Sequence, residues 1–592
     1  MMNIQRFEPW LCGVSITVLL AVPGLVDSYH LHVLSVICIF VVVAVGMNIL
    51  VGYTGLVSLG HAGLFAIGAY TSALLSTRAG ISFWPASLAS MLLAAIAGAI
   101  LALASLRARG IALAMVTIAF GIIVEQLALD QDALTGGFMG ISNIPPPALA
   151  GLHLPPSMRF YLLLSIAALS VWLSANLRHS KWGRGLLAVR ENRIAAASLG
   201  ISRYAMETMG FVVSAAFVGY AGALYAHHHA YIAPRIFSFD LSILMLLMVI
   251  LGGLGTIWGP VVGAIVLLAL PELISGFQGF RLIVYGAVML GCLYVMPQGI
   301  AGAFSARRAQ QRVIDASPSP AKSLIVEHLI TPSAEEKGQP LVQIEQLTKV
   351  FGGLVAIAHV DLTIASGTIH SLIGPNGAGK TTLVNLISGF YQPTRGQIRL
   401  RGKLVSGWAP HRMAAIGVAR TFQASRLFPQ LTALENVMVG LHAHLAESFG
   451  GALLHMPSCY REEHRARELA KSALDDVGFP SSPDALASTL AFGHQRLVEI
   501  ARALATCPVL LLLDEPAAGL SSGEVAELRR LISRIKDMGI TVLLIEHRMD
   551  LVMSLSDRVT VLDYGQKIAE GRPGDIRSDR RVIEAYLGPE GI

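Results

Sequence analysis

The chain is short of charge. Of its 592 residues only 14% are Asp, Glu, Lys or Arg, while 54% are hydrophobic and the mean hydropathy is +0.61. Soluble domains carry about a quarter charged residues, so this composition excludes a wholly water-soluble protein and requires membrane spans. Cysteine is scarce as well. Cys12, Cys38, Cys292, Cys459 and Cys507 are odd in number and never spaced C-x-x-C, which excludes a disulfide framework and a cysteine-built metal site. Lys and Arg are missing altogether from residues 130–158. Elsewhere the basic residues gather in loops between apolar runs, the pattern of a topological signal, so the net charge of +6 implies no nucleic-acid partner. No small-residue cleavage site follows the apolar run that starts at Leu11, and that run reads as a retained span, not a removed signal.

What is present is uneven. The apolar runs stop near Phe304, and the remainder has ordinary globular charge density. We read a polytopic α-helical membrane domain at 1–304, a polar, Pro-containing linker at 305–340 and a soluble α/β domain at 341–592. Spans are expected at 11–27, 31–51, 56–76, 84–106, 111–129, 160–177, 207–227 and 282–298. The stretch 240–272 is too long for one crossing, and Gly252-Gly-Leu-Gly255 with Gly259-Pro260 interrupts it, so it reads as two short crossings or broken helices, about ten spans in all. Arg107 and Arg109, and the loop with Arg178, Lys181, Arg184, Arg190, Arg193 and Arg203, mark the cytoplasmic side.

Three membrane-half features carry two readings each. Glu125 is an intramembrane carboxylate, functional by default, or an interfacial side chain reaching for headgroups. His227-His228-His229 is a row of solvated interfacial histidines, or, less in keeping with its position, a metal site. The long loop 183–201 is a topogenic signal, or a segment that docks on the soluble domain; its core at Val189–Leu199 reads as a short amphipathic helix, and Arg190 and Arg193 are its basic positions.

The soluble half holds the strongest motif. Gly374-Pro375-Asn376-Gly377-Ala378-Gly379-Lys380-Thr381 fits G-x-x-x-x-G-K-[ST]. A buried strand, Ile369–Ile373, precedes it, and a helix starts at Thr382. Glycines let the backbone N–H groups curl round phosphates, and the helix N-terminus adds partial positive charge. The stretch Gly374–Thr382 therefore reads as a nucleotide site, with Lys380 on the phosphates and the Thr381 hydroxyl on Mg²⁺. Leu510–Leu513 reads as a buried strand ending in Asp514, which would hold Mg²⁺, and Glu515, which would polarise the attacking water. Leu543–Ile545 is another apolar strand, leading to Glu546 and His547, whose imidazole would meet the γ-phosphate. Leu490–Gln495 precedes a helix expected over Leu497–Leu504. Phe351 is an aromatic placed to stack on adenine, or simply core.

Together these stretches resemble the ABC transporters. The resemblance implies ATP as the cofactor, Phe351 as the adenine-stacking aromatic, Gln423 of Arg420-Thr-Phe-Gln423 as the Q-loop glutamine near Mg²⁺ and water, and His547 as the switch histidine. It also implies that Leu490–Gln495 is the signature motif, with Ala491 and Gly493 facing a nucleotide held by another copy. Ala491, Phe492 and His494 depart from the usual LSGGQ. Asp514-Glu-Pro-Ala-Ala-Gly-Leu520, Val582–Gly588, Asn48–Leu56, Thr135–Gly137 and Leu251–Pro260 narrow the likeness to branched-chain (hydrophobic) amino-acid uptake importers, a permease fused to its ATPase. Urea and amide importers share that architecture, and a fused exporter is the more distant alternative. The likeness implies a bacterial inner-membrane location with contact to lipid, a periplasmic solute-binding protein as partner, and either a second permease and ATPase or a second copy of this chain.

Overall fold

The computed structural model describes residues 23–105, 110–149, 152–273, 298–303 and 338–587, with isolated positions between 283 and 296. The chain divides into two units, one of residues 1–179 with 204–308, the other of 180–203 with 309–592. Most of the expected spans at 11–27 and 282–298, the loop arginines 107 and 109, and residues 305–337 of the linker lie outside the described residues.

In the first unit α1 (Ser28–Met47) runs on as a π-helix, Asn48–Thr54, and ends at Gly55, whose φ of 72° suits glycine. α2 (His61–Thr77) follows, then α3 (Phe83–Ser105), α4 (Ile111–Asp130) and α5 (Pro156–His179). Among the described residues five helices are long and apolar enough to cross a membrane: α1 with its π continuation, α3, α4, α5 and the later helix Arg203–His229. The expected run at 56–76 is shorter at its start, because residues 56–60 are irregular and the Leu59 N–H goes to Thr117 Oγ1 (3.0 Å) instead of a helical carbonyl.

The 240–272 stretch is indeed two helices, Phe239–Gly252 and Gly259–Leu273. Backbone freed by such a break must find partners inside the protein. Asn48 supplies them: its Nδ2 donates to Thr256 O and its Oδ1 accepts from Gly255 N, both at 2.9 Å. A Cβ on Gly52 would sit 2.7 Å from Gly255 N, so only glycine lets the π-helix approach the break this closely. Close helix contact recurs at Gly68 and Gly219, where a Cβ on Gly68 would lie 2.0 Å from Gly219 O.

The histidine row is solvated only in part, with His228 and His229 half-buried. His227 is fully buried, bonded to Ser72 Oγ (2.7 Å) and Pro145 O (2.6 Å), while His228 stacks on His32 with ring centroids 4.7 Å apart. The long helix carries these rings into packing against α1 and α2, which periodicity alone does not reveal. No described cluster of three or more His, Cys, Asp or Glu could hold a metal. Glu125 is half-buried on α4, within electrostatic reach of Arg235 and Asp240.

The second unit begins with α6 (Lys181–Glu191) and α7 (Arg193–Ser198), followed in chain order by α8 (Arg203–His229), α9 (Phe239–Gly252) and α10 (Gly259–Leu273) of the first unit. The single helix expected over Val189–Leu199 is broken at Asn192. Its backbone is extended (φ −153°, ψ 100°), and its side chain caps α7 by accepting from Ile194 N and Ala195 N.

After residue 338 come β1 (Pro340–Phe351), β2 (Leu354–Ala365), β3 (Ile369–Ile373), α11 (Lys380–Ile387), β4 (Arg395–Leu400), β5 (Lys403–Leu404), α12 (Pro410–Ala415) and β6 (Val418–Arg420). Then follow α13 (Ala433–Gly440), α14 (Pro457–Asp476), α15 (Phe492–Leu504), β7 (Leu510–Asp514), α16 (Ser522–Asp537), β8 (Thr541–Ile545), β9 (Arg558–Asp563), β10 (Gln566–Gly571) and α17 (Arg580–Leu587). α15 starts inside Leu490–Gln495, upstream of the expected Leu497.

The main sheet has the order β6-β7-β8-β3-β9-β10, parallel except for β10. β3, β7 and β8 are wholly buried, which is why they read as unbroken apolar runs. A second, antiparallel sheet, β2-β1-β4-β5, packs with α11 on a core that includes Ile344, Leu383, Leu512 and Leu543. A separate core under α13, α14, α15 and α16 includes Val437, Ala470, Ile500 and Ile532.

Candidate functional site

Parallel strands all end at the same edge, and in open α/β sheets ligands bind there. The loop 374–379 follows β3, Thr421–Gln423 follow β6, Glu515 follows β7, and Glu546-His547 follow β8. Residues far apart in sequence are thereby brought together. Gln423 Nε2 donates to Glu515 Oε2 at 2.8 Å, and His547 Nε2 lies 2.9 Å from Glu515 Oε1. Glu515 holds this place on left-handed backbone, φ 48°, an unfavourable conformation for a residue with a Cβ. Such strain persists where the surroundings enforce it; here the Glu515 N–H donates to Ile545 O (2.9 Å) and the Ala517 N–H to Glu546 Oε1 (2.7 Å).

Lys380 folds back over the loop, its Nζ donating to Gly374 O (2.7 Å) and Pro375 O (2.9 Å). Burial lowers the hold of its ammonium on the proton, and the nearby carboxylates Glu515 and Asp514 oppose that shift. Asp514 is buried and paired with Arg420 (3.0 Å). Thr381 and Thr382 open α11, and Asn376 and Gly377 are exposed at the loop tip. Thr381, Gln423 and Asp514 are all oxygen donors, which suits a hard cation such as Mg²⁺. Phe351 stands at the end of β1 with part of its ring exposed, edge-on to Tyr391 at 5.1 Å, with Lys349 Nζ 4.8 Å from its centroid. Ala491 is the N-cap of α15 without a side-chain bond, and a Cβ on Gly493 would lie 2.2 Å from Glu524 Oε1. Among the described residues Phe351, Ala491 and Gly493 make no hydrogen bond to the Glu515 cluster.

A family model described as the permease component of the branched-chain amino acid transport system matches residues 29–293. One described as ABC transporter matches 357–518, and one described as branched-chain amino acid ATP-binding cassette transporter matches 566–588. The ATP-binding protein BraF of high-affinity branched-chain amino acid transport in Pseudomonas aeruginosa is 46% identical over 251 residues, 42% of this chain and 98% of BraF. The chain belongs to the branched-chain amino-acid ABC transporters. The permease protein LivM of the corresponding Escherichia coli system is 36% identical over 302 residues, 47% of this chain and 71% of LivM. A solved nucleotide-free ATP-binding cassette is 33% identical, over 42% of this chain and 100% of the other, with a TM-score of 0.37. With matches to both kinds of subunit, this ABC transporter joins a multi-pass permease to an ATPase in one chain.

Two sets of residues are not singled out by the sequence. The first holds the loop that carries Gln423. Arg496 on α15 is buried and donates to Phe422 O (2.5 Å) and to Gln423 O, while Glu499 Oε1 accepts from Phe422 N (3.0 Å) and Arg496 pairs with Glu499 at 2.7 Å. α15 therefore grips the loop carrying Gln423. A charged pair spaced i,i+3 on the apolar side of an amphipathic helix is the available signal.

The second set lies where the transporter's segment 180–203 meets the ATPase. α6 packs on α13, and α7 on α12. Buried Arg184 makes a two-pronged pair with Glu463 of α14, with Nη2 to Oε2 at 2.9 Å. The Lys181 N–H donates to Glu447 Oε2 (3.1 Å) and its Nζ to Leu445 O. Trp182 sits edge-on to His442 and Phe449, at 6.2 and 5.9 Å. An ion pair that reaches the ATPase belongs to Arg184, one turn into α6, a position that the pattern of the loop does not single out.

Proposed function

We propose that this transporter is the permease and ATPase part of an importer that draws branched-chain amino acids across a bacterial inner membrane, with its ATPase on the cytoplasmic side. The observation that carries the reading is the Gln423–Glu515–His547 cluster at the sheet edge, in a chain whose other half belongs to a branched-chain amino-acid permease family. In this reading Gly374–Thr382 bind the phosphates, Phe351 stacks on adenine, and Thr381, Asp514 and Gln423 hold Mg²⁺, which neutralises phosphate charge when bound. Glu515 orients and activates the attacking water, and His547 meets the γ-phosphate. Ala491 and Gly493 would face the nucleotide of a second ATPase.

The functional division is 1–304 permease, 305–340 linker and 341–592 ATPase, with 180–203 working as the segment that passes ATPase closure to the membrane helices. A periplasmic binding protein would deliver the solute. ATP-dependent uptake of labelled leucine, isoleucine and valine into vesicles, with the binding protein supplied, tests this. Uptake of urea or short amides in place of all three would replace the substrate, and outward pumping would overturn the importer reading.

A further inference from the structure

The phosphate loop has a contact that its motif does not include. At Gly374 β3 turns into the loop with φ 149°, and a Cβ there would lie 2.1 Å from Leu562 O on β9, so the position accepts only glycine. Both polar groups of this residue are committed. Its carbonyl accepts from Lys380 Nζ at 2.7 Å, and its N–H donates to the Tyr586 hydroxyl, also at 2.7 Å. Tyr586 belongs to α17, more than two hundred residues further along the chain. That helix is anchored by buried Val582, which shares a small core with Ile373, the residue just before Gly374, and with Val559, Val561 and Ile576. At its start Asp579 Oδ1 accepts from Arg581 N at 2.9 Å.

We propose that Tyr586 is a positioning residue of the nucleotide site. Through the Gly374 N–H it restrains the backbone torsions at the base of the phosphate loop, and with them the carbonyl that binds Lys380, in the orientation that receives the phosphates, so the C-terminal helix helps to set nucleotide affinity. The proposal rests on ATP binding at Gly374–Thr382. Without the hydroxyl the Gly374 N–H loses its acceptor and the Ile373–Gly374 peptide is held less firmly, so the φ and ψ of Gly374, which aim the carbonyl that binds Lys380, are less fixed. A net hydrogen bond of about 1 kcal/mol corresponds to about a five-fold change in binding.

The test is Tyr586→Phe in the full-length transporter, which removes one oxygen and keeps the ring. Binding of trinitrophenyl-ATP is measured by fluorescence, alongside ATPase kinetics and thermal stability. The expected result is a Kd and KM for nucleotide raised about five-fold, with kcat at saturating ATP and the melting temperature close to native. Native affinity in the Phe variant would overturn the proposal, and so would a fall in kcat or stability with Kd unchanged. Failure of the unmodified transporter to bind the probe would instead overturn the ATP reading beneath it.

Discussion

Glu515 illustrates how a single residue is held at the sheet edge. Its left-handed backbone and its two side-chain partners, Gln423 and His547, hold the carboxylate at the mouth of β7. Glu515→Gln keeps the shape and removes the proposed base. ATP binding should persist while hydrolysis falls by about 10²- to 10⁴-fold, the usual contribution of a positioned base. Lys380→Ala should instead weaken nucleotide binding itself. Parallel measurement of nucleotide affinity and ATPase rate separates the two, and a native hydrolysis rate in the Glu515→Gln variant would remove Glu515 from the role of base.

At the scale of elements, α6 and α7 are the decisive pieces. Arg184 and Glu463 are mostly out of water, and removing one member of such a pair costs about 3 kcal/mol because the other charge is left behind. Arg184→Ala should therefore lower solute uptake while ATP hydrolysis continues. Arg184→Ala with Glu463→Gln should recover part of the uptake, since no lone charge remains; vesicle transport and ATPase assays on the single and double variants beside the native protein check this. The same contact should be acid-sensitive. Burial, with the cations Lys181 and Arg184 nearby, holds His442 down to about 4, below its usual range. The unfolded chain then binds the proton more readily than the folded one, so the stability His442 contributes is complete above about pH 6.5 and is lost as pH falls towards about 4. Thermal melting of the native protein and of His442→Asn across that range should show a steeper acid loss in the native protein, and parallel curves would refute it.

The whole molecule carries one phosphate-loop motif, one stretch that resembles a signature motif and one permease half. If a complete ATP site takes the loop from one ATPase and the signature from another, this chain must pair. Ala491 leaves the N-terminus of α15 without the side-chain cap that a serine would provide. We expect a mixed assembly, in which a second ATPase and a second permease complete the importer. Copurification from the native membrane checks it, and a complex of this chain alone, with ATPase activity stimulated by a binding protein, would exclude it.

Composition and local pattern determined much of this protein. Scarce charge required a membrane half. The glycines and Lys380 marked a phosphate loop, and unbroken apolar strands ending in Asp514 and in Glu546-His547 marked the sheet, because strands buried on both faces must be apolar throughout. These signals are local, carried by residues close together in the chain. Contacts between distant residues were settled only by tertiary structure. The break of the 183–201 loop at Asn192 depends on a single side-chain cap. The pairing of Arg184 depends on where Glu463 falls on α14. The grip of Arg496 and Glu499 on the loop that carries Gln423, the burial of His227 and the reach of Tyr586 to Gly374 each join positions dozens to hundreds of residues apart. No periodicity encodes such pairs; the packing of strands and helices within each unit places them side by side.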